Sequence, residues 1–405
     1  MRAAGAGIVT GSLSTKRVAI LGSTGSIGCN ALEVIEHLGY RVVALSGHRQ
    51  LDKLCEQARR FNVPALGVAD ENCRGEITAR LSQHKPEIYV GADGLADMVT
   101  RDDVDIVLAA IVGSAGLAPV LAAVRAGKRV ALANKESLVV AGSLLIPLAR
   151  QSGATIIPVD SEHSAVFQAM TCGRLAEVKR IILTASGGPF RSWPVEKIQS
   201  ATLADALNHP TWRMGDKITI DSATMFNKAL EIIEACWLFD VPAERIEVVI
   251  HPQSIVHSMV EYVDGSVIAQ LSPPDMRTPI QHALTYPDRV EGISRRMDWS
   301  KRFALDFEPP DPEKFGALKL AFDVAKRKAT YGAVLNAANE AAVAAFVAGK
   351  IPFGMICQTV EHTIAAHRPV AQPSLQDLLD ADRWARQNAE GYMEEARVSS
   401  PAATK

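Results

Sequence analysis

A chain of 405 residues, 48% of them apolar, is long enough for two or three domains and can bury a large core. Its formal net charge of −2, with no Lys/Arg tract, argues against bulk electrostatic binding to nucleic acid, and no apolar run reaches the ~20 residues needed to cross a bilayer. The six cysteines (Cys29, Cys55, Cys73, Cys172, Cys236 and Cys357) are scattered without a CxxC pair, which reads as free thiols in a reducing compartment rather than a disulfide frame or a zinc site.

In chain order, residues 1–15 are small and weakly charged and lack the apolar core of a signal peptide. They are expected to be a disordered extension of a cytoplasmic protein. RVAIL (17–21) reads as a strand. It runs into GSTGSIG (22–28), then an amphipathic helix through Ala31, Leu32, Ile35 and Leu38, then a second strand, RVVAL (41–45). This is a βαβ unit whose glycines let backbone N–H groups approach a pyrophosphate at a helix N-terminus; the other reading is a tight turn without a ligand. An NAD-binding unit places an acidic residue after the second strand. Here Ser46-Gly47-His48-Arg49-Gln50 stands instead, which suits the 2′-phosphate of NADPH or, more plainly, a solvated loop.

Short strands follow at 65–68 and 88–90. DIVLAAI (105–111) suits a buried parallel strand, and Val112-Gly113-Ser114-Ala115-Gly116 makes a second small-residue turn. A strand at 128–133 ends in Asn134-Lys135-Glu136, at the carboxyl end where ligands of open α/β sheets lie; a polar helix start explains the same residues. The strand at 154–159 ends in Asp160-Ser161-Glu162-His163. Residues i and i+2 of an extended segment point the same way. Asp160 and Glu162 then present two carboxylates that repel unless a cation lies between them, and all-oxygen donors favour Mg²⁺ or Mn²⁺. Alternatively, Asp160 caps the next helix with Glu162 in its first turn.

A strand at 181–183 leads into a Gly- and Pro-rich stretch to Gly215 with one short helix (203–207), long enough to be a lid. Residues 219–235, TIDSATMFNKALEIIEA, read as one helix capped by Asp221 or Ser222. Asn227, Lys228 and Glu231 share one surface of it, as an anion site beside a metal ligand or as a Lys–Glu pair on an exposed face. Strands at 247–250, 254–262 and 266–271, with a hairpin turn at Asp264-Gly265, are expected to form a small antiparallel sheet. A Pro- and charge-rich linker (302–312) precedes helices at 313–328, 333–348, 353–366 and 375–396, which suggest a bundle. Asn336, Asn339 and Glu340 read as its solvated face or, less plainly, as a contribution to the site.

Taken together, GSTGSIG, ANKESLV, PVDSEHSA, LTASGGPF, HPTWRMGDKITIDSATMFNKALE, HPQSIVHSMVEY and PPDMRTPI, in this order and spacing, resemble the 1-deoxy-D-xylulose 5-phosphate reductoisomerase family, from Lys16 to about Arg368. The resemblance implies an α/β fold: a Rossmann-like NADPH-binding domain (16–160), a central α+β catalytic and dimerisation domain (161–301) with a lid at 186–215, the linker, and a C-terminal helical bundle (313–396). It implies a homodimeric enzyme of the methylerythritol phosphate route to isoprenoids, using NADPH and a divalent metal (Mg²⁺, Mn²⁺ or Co²⁺) on a small phosphorylated sugar, with no nucleic-acid or membrane partner. Thr24, Gly25, Ser26 and Ile27 then hold the NADPH pyrophosphate; His48, Arg49 and Gln50 surround the adenosine phosphate; Asn134, Glu136 and Gly215 line the rest of the cofactor site. Asp160, Glu162 and Glu231 match the metal ligands and, with Lys135, the catalytic set. Lys135, Ser161, Glu162, Ser186, His209, Trp212, Ser222, Asn227, Lys228 and Glu231 match the substrate contacts. The chain departs from the family's pattern at Gln50, where Asn is usual, and at Ser114, where Ala is usual. A plain NADPH dehydrogenase and a silent dinucleotide-binding regulator are the rival readings; three metal carboxylates are excess to the first, and the intact Lys135, Asp160, Glu162 and Glu231 set argues against the second.

Overall fold

The computed structural model describes residues 15–81 and 83–399, the side chain of Ser399 excepted. The expected disordered extension therefore lies, but for Thr15, outside the described residues. The first half alternates strands and helices: β1 (Arg17–Leu21), α1 (Ser26–Leu38), β2 (Arg41–Gly47), α2 (Leu51–Phe61), β3 (Ala65–Val68), α3 (Glu71–Arg80), β4 (Glu87–Val90), α4 (Gly91–Thr100), β5 (Ile106–Ala109), α5 (Leu117–Arg125), β6 (Arg129–Leu132), α6 (Lys135–Ser152) and β7 (Thr155–Pro158). The strands form one parallel sheet in the order β4-β3-β2-β1-β5-β6-β7. The chain winds outward from β1 to β4, returns beside β1 as β5, and continues to β7, so the order reverses between β1 and β5. In such sheets the crevice at the carboxyl ends of those two strands is where ligands bind. β5 is shorter than the apolar run 105–111 suggests, because Ala110 and Ile111 leave the sheet to begin the loop over that crevice.

The second half starts with α7 (Ser161–Ala169) and β8 (Val178–Ala185). It continues through α8 (Val195–Ile198), α9 (Leu203–Leu207), α10 (Asp216–Thr224) and α11 (Phe226–Leu238) to β9 (Ile246–Ile250), β10 (Val256–Tyr262), β11 (Val267–Leu271) and α12 (Arg277–Thr285). The second sheet runs β11-β10-β8-β9. It is mixed, not purely antiparallel as expected: β9 pairs parallel with β8, with Ile181 opposite Ile246. The cause is the long helical crossover between them, since a parallel neighbour needs such a connection and a hairpin cannot supply it.

The expected helix over 219–235 is two helices. Met225 is left-handed (φ 63°) and 2% exposed, and it ends α10 and starts α11. Apolar residues continue on both sides of the break because both helices bury their faces, so periodicity could not reveal one αL residue. Asp221 and Ser222 accordingly lie in the last turns of α10, not at a helix N-cap.

The C-terminal helices are α13 (Gly316–Arg327), α14 (Tyr331–Val347), α15 (Met355–Ala366) and α16 (Leu375–Ser399). α14 is buried along nearly its whole length and packs against α15 and α16 on one side and α6 and α10 on the other. Asn336 and Asn339, expected on a solvated face, are fully buried. The Asn339 amide donates to Asp221 of α10 at 2.9 Å, and the Asn336 amide donates to Glu340 within α14 at 3.0 Å.

Candidate active site

The turn from β1 into α1 is a tight cradle. Gly22 has φ +82°, and a Cβ there would lie 2.7 Å from the carbonyl oxygen of Ala110; one on Gly28 would overlap the backbone of Gly22 and Ser23. Only glycine permits both approaches. Thr24, Gly25, Ser26 and Ile27 line this turn at the N-terminus of α1, with Gly25 and Ser26 exposed and Thr24 buried; the free N–H groups of the helix suit an anion. Lys53 reaches back to donate to the Thr24 carbonyl at 2.9 Å. His48, Arg49 and Gln50 are exposed at the carboxyl end of β2, beside the cradle. Across the switch point, Asn134 is buried at the cap of α6. It donates to the carbonyls of Ile111 (2.7 Å) and Gly113 (3.0 Å) and to Glu136 (2.8 Å). Burial pushes the Glu136 carboxyl up from its ordinary value.

The second cluster is made of charges. Asp160 caps α7, accepting from the backbone N–H of Ser161 at 3.1 Å, so the capping reading of this stretch holds. Glu162 lies in the first turn of the same helix and Glu231 at 0% exposure on α11. Two buried lysines join the three carboxylates. Lys135 lies 2.6 Å from Asp160 and 3.1 Å from Glu231 and donates to Asn227 at 2.6 Å. Lys228 donates to Glu162 at 2.9 Å and also to Glu231. Lys228 is 2% exposed, which rules out the exposed-face reading of the Lys–Glu pair.

Burial works against the charges on Lys135 and Lys228, but the facing carboxylates outweigh it and hold both ammoniums above their usual range. Burial, then repulsion from Glu162, pushes the Glu231 carboxyl up. Burial likewise opposes ionisation of Asp160, but Lys135 and His163 together outweigh it and hold that carboxyl below the usual range. His163 donates from Nε2 to the Glu231 carbonyl at 3.0 Å and turns Nδ1 towards Asp160 (3.6 Å) and Glu234 (3.5 Å). One oxygen of Asp160 touches Lys135 without an aligned hydrogen bond. Ligand atoms of Asp160, His163 and Glu231 all lie within 4.8 Å of one another. The set is dominated by carboxylate oxygens, the donors that a hard divalent ion takes. The residues present therefore fit such an ion, but the group that comes together has His163 where Glu162 was expected; Glu162 joins the cluster through Lys228.

The stretch 186–215 connects β8 to α10. His209 Nδ1 accepts from the backbone N–H groups of Thr211 (3.1 Å) and Trp212 (2.9 Å), so its proton sits on Nε2, which donates to Ser186 Oγ at 3.0 Å. The half-buried Trp212 ring lies 6.4 Å from that of His257. Ser222 is buried at the end of α10, and Gly215 is exposed at its start.

Models of this family's domains match the chain three times. The 1-deoxy-D-xylulose 5-phosphate reductoisomerase model covers residues 18–142, its C-terminal domain model 156–239, and the DXP reductoisomerase C-terminal domain model 271–388. The chain belongs to the 1-deoxy-D-xylulose 5-phosphate reductoisomerase family. The reductoisomerase of Chlorobium chlorochromatii is 51% identical over 93% of this chain and 100% of its own length, and that of Geobacter metallireducens is 50% identical over 92% and 98%. Among solved structures, the Zymomonas mobilis reductoisomerase in complex with NADPH is 45% identical with a TM-score of 0.88, covering 94% of this chain and all of its own. A DOX-P reductoisomerase complex with NADPH, fosmidomycin and magnesium is 42% identical with a TM-score of 0.89, covering 94% and 99%.

Within this reductoisomerase fold, the charged cluster draws on three separated stretches: the start of α6, the start of α7, and α11. Sequence reasoning did not pick out Lys53 or Glu234. Glu234 is 1% exposed and follows Glu231 by three residues, so it shares a helix face with it. A carboxylate in an otherwise apolar run (Ile232, Ile233, Ala235) is the signal that pointed to it.

Proposed function

We propose that this chain rearranges and reduces 1-deoxy-D-xylulose 5-phosphate to 2-C-methyl-D-erythritol 4-phosphate, in the methylerythritol phosphate route to isoprenoids. Family membership over nearly the whole chain supports the activity. The observation that carries the site is the meeting of Asp160, Glu162 and Glu231 with Lys135 and Lys228 in one buried cluster near the carboxyl end of the parallel sheet. In this reading 16–160 binds NADPH, 161–301 carries the reaction and the dimer contact, 302–312 is a linker and 313–396 a supporting bundle. Asp160, Glu162 and Glu231 hold the metal; Mg²⁺ is bound by a relative of this fold, and Mn²⁺ and Co²⁺ suit the same oxygens. Bound there, a divalent ion supplies Lewis-acid polarisation of substrate oxygens and NADPH supplies the hydride.

The chain's own residues then have distinct jobs. Thr24, Gly25, Ser26 and Ile27 take the pyrophosphate, His48, Arg49 and Gln50 the adenosine phosphate, and Asn134, Glu136 and Gly215 the rest of the cofactor. Lys228 uses two of its three donors on carboxylates. The third is left for the substrate phosphate, with Ser186, Ser222 and Asn227. Lys135 and Ser161 hold protons at the substrate hydroxyls, and Glu162 accepts one. His209 and Trp212 close the 186–215 lid and keep water from the aldehyde formed between the two steps. The homodimer reading is supported by β11, an edge strand that pairs on one side only among the described residues. The low cysteine usage without disulfides supports a cytoplasmic site of action.

The test mixes the protein with 1-deoxy-D-xylulose 5-phosphate, NADPH and Mg²⁺ or Mn²⁺, follows nicotinamide oxidation and identifies the product. Nicotinamide oxidation giving the branched erythritol phosphate is expected. Oxidation giving an unbranched alcohol would replace this reading with a plain reductase.

A further inference from the structure

The crevice at the switch point is roofed by the loop from Ile111 to Gly116, and the far end of the chain holds that loop. Gly113 has φ +77°, and a Cβ there would lie 2.8 Å from Oε1 of Glu340, so the Glu340 carboxylate rests against the glycine backbone. Glu340 stands on α14. Its Oε1 accepts from Asn336 at 3.0 Å, and its Oε2 accepts from Arg386 of α16 at 2.6 Å. Arg386 also reaches Ser114 Oγ in the loop at 3.4 Å. Its guanidinium is fixed from behind by Asp382, which accepts from Nε at 2.8 Å and Nη2 at 3.0 Å. From the other side, Asn134 at the head of α6 donates to the carbonyls of Ile111 and Gly113. The loop is thus clamped between a residue placed in the cofactor site and an ion pair from the C-terminal bundle.

We propose that Arg386 is a positioning residue for the nicotinamide cofactor, acting through Glu340 to set the Ile111–Gly116 loop in the shape the dinucleotide meets. The inference rests on the reading that NADPH occupies the β1/β5 crevice. The bland alternative is that Arg386 merely ties α16 to α14. Those helices already pack along their apolar faces, and Arg386 with its partner Glu340 extends past that contact to Ser114 and Gly113, which belong to neither helix. A planar guanidinium with a fixed fork serves such a three-way contact, and a lysine would not reproduce it.

The experiment measures dissociation constants for NADPH, by quenching of protein fluorescence, and Michaelis constants for NADPH and the phosphorylated substrate, in the wild type, Arg386→Ala, Arg386→Lys and Glu340→Gln. Glu340→Gln keeps the side-chain shape and the Asn336 contact but removes the charge that Arg386 meets. We expect NADPH affinity to fall about fivefold or more in Arg386→Ala, the lower end of coupling between separate sites. Arg386→Lys and Glu340→Gln should also weaken NADPH, with the Michaelis constant for the substrate staying within twofold in all three. NADPH constants within twofold of wild type in Arg386→Ala and Glu340→Gln would overturn the proposal. So would a parallel loss of NADPH, substrate and metal affinity, which would mean that the ion pair only docks the bundle. Should Arg386→Ala not fold, the same criteria are read from Glu340→Gln. A wild type that binds no NADPH would instead overturn the cofactor reading on which the inference rests.

Discussion

The cofactor crevice and the charged cluster lie on the same molecule but are built on opposite principles. The crevice is made of backbone: glycines that let chains approach, a helix N-terminus, and exposed side chains at His48 and Arg49. The cluster is made of ionised side chains withdrawn from water, with Glu231 at 0% and Lys228 at 2% exposure, each charge held by its neighbours. Losing a contact in the crevice weakens one ligand. Losing a charge in the cluster leaves its partners buried and unpaired, which costs about 3–5 kcal/mol in such settings. The first region can vary its specificity cheaply, whereas the second is a unit.

That contrast is sharpest at Glu231. Glu231→Gln should lower turnover by about 10³-fold, the scale of losing one preorganised electrostatic partner, while NADPH binding survives. Calorimetric titration of metal into the variant checks it, and metal affinity equal to wild type would remove Glu231 from the ligand set. In the wild type, metal at about 100 times its dissociation constant should add about 2.7 kcal/mol of stability, read as a rise in thermal midpoint that a chelator reverses. Next in size is Lys228→Ala. It should raise the Michaelis constant for the phosphorylated substrate strongly and lower the thermal midpoint, because Glu162 and Glu231 lose their shared cation. An unchanged constant with a lowered midpoint would make Lys228 purely structural.

On the crevice side, Arg49→Asp should raise the NADPH Michaelis constant about 10- to 100-fold, the worth of one charged hydrogen bond, and spare NADH. Equal effects on both cofactors would break the 2′-phosphate reading. The smallest effect concerns the lid. Burial pushes His209 below its ordinary value. Its neutral ring accepts two backbone N–H groups, so the lid contact is fully present above the unfolded value of about 6.5 and is lost as pH falls through the folded one. Limited proteolysis within 186–215 should therefore speed up between pH 7 and pH 5, and an unchanged rate would remove His209 as the latch.

Much of this was legible in the sequence. β1, β3 and α9 start and end where the apolar runs and turn residues put them, because burial and glycine geometry act over a few neighbouring residues. The break at Met225 was not legible, since a non-glycine αL residue leaves no mark in an apolar period. Asn336 and Asn339 were misread for a related reason. A polar residue on a helix signals water unless the partner that meets it is known, and for Asn339 that partner, Asp221, lies more than a hundred residues away.

The sequence by itself determined the glycine turn between β1 and α1, the candidate ligands at Asp160 and Glu162, and the family, since local patterns and long matching stretches carry them. Only the tertiary structure decided that Lys135 and Lys228 balance those carboxylates, that His163 and Glu234 lie behind Asp160, and that Arg386 reaches the loop beside Gly113. Charges attract or repel according to distance in space, and folding brings together groups that the order of the chain keeps far apart.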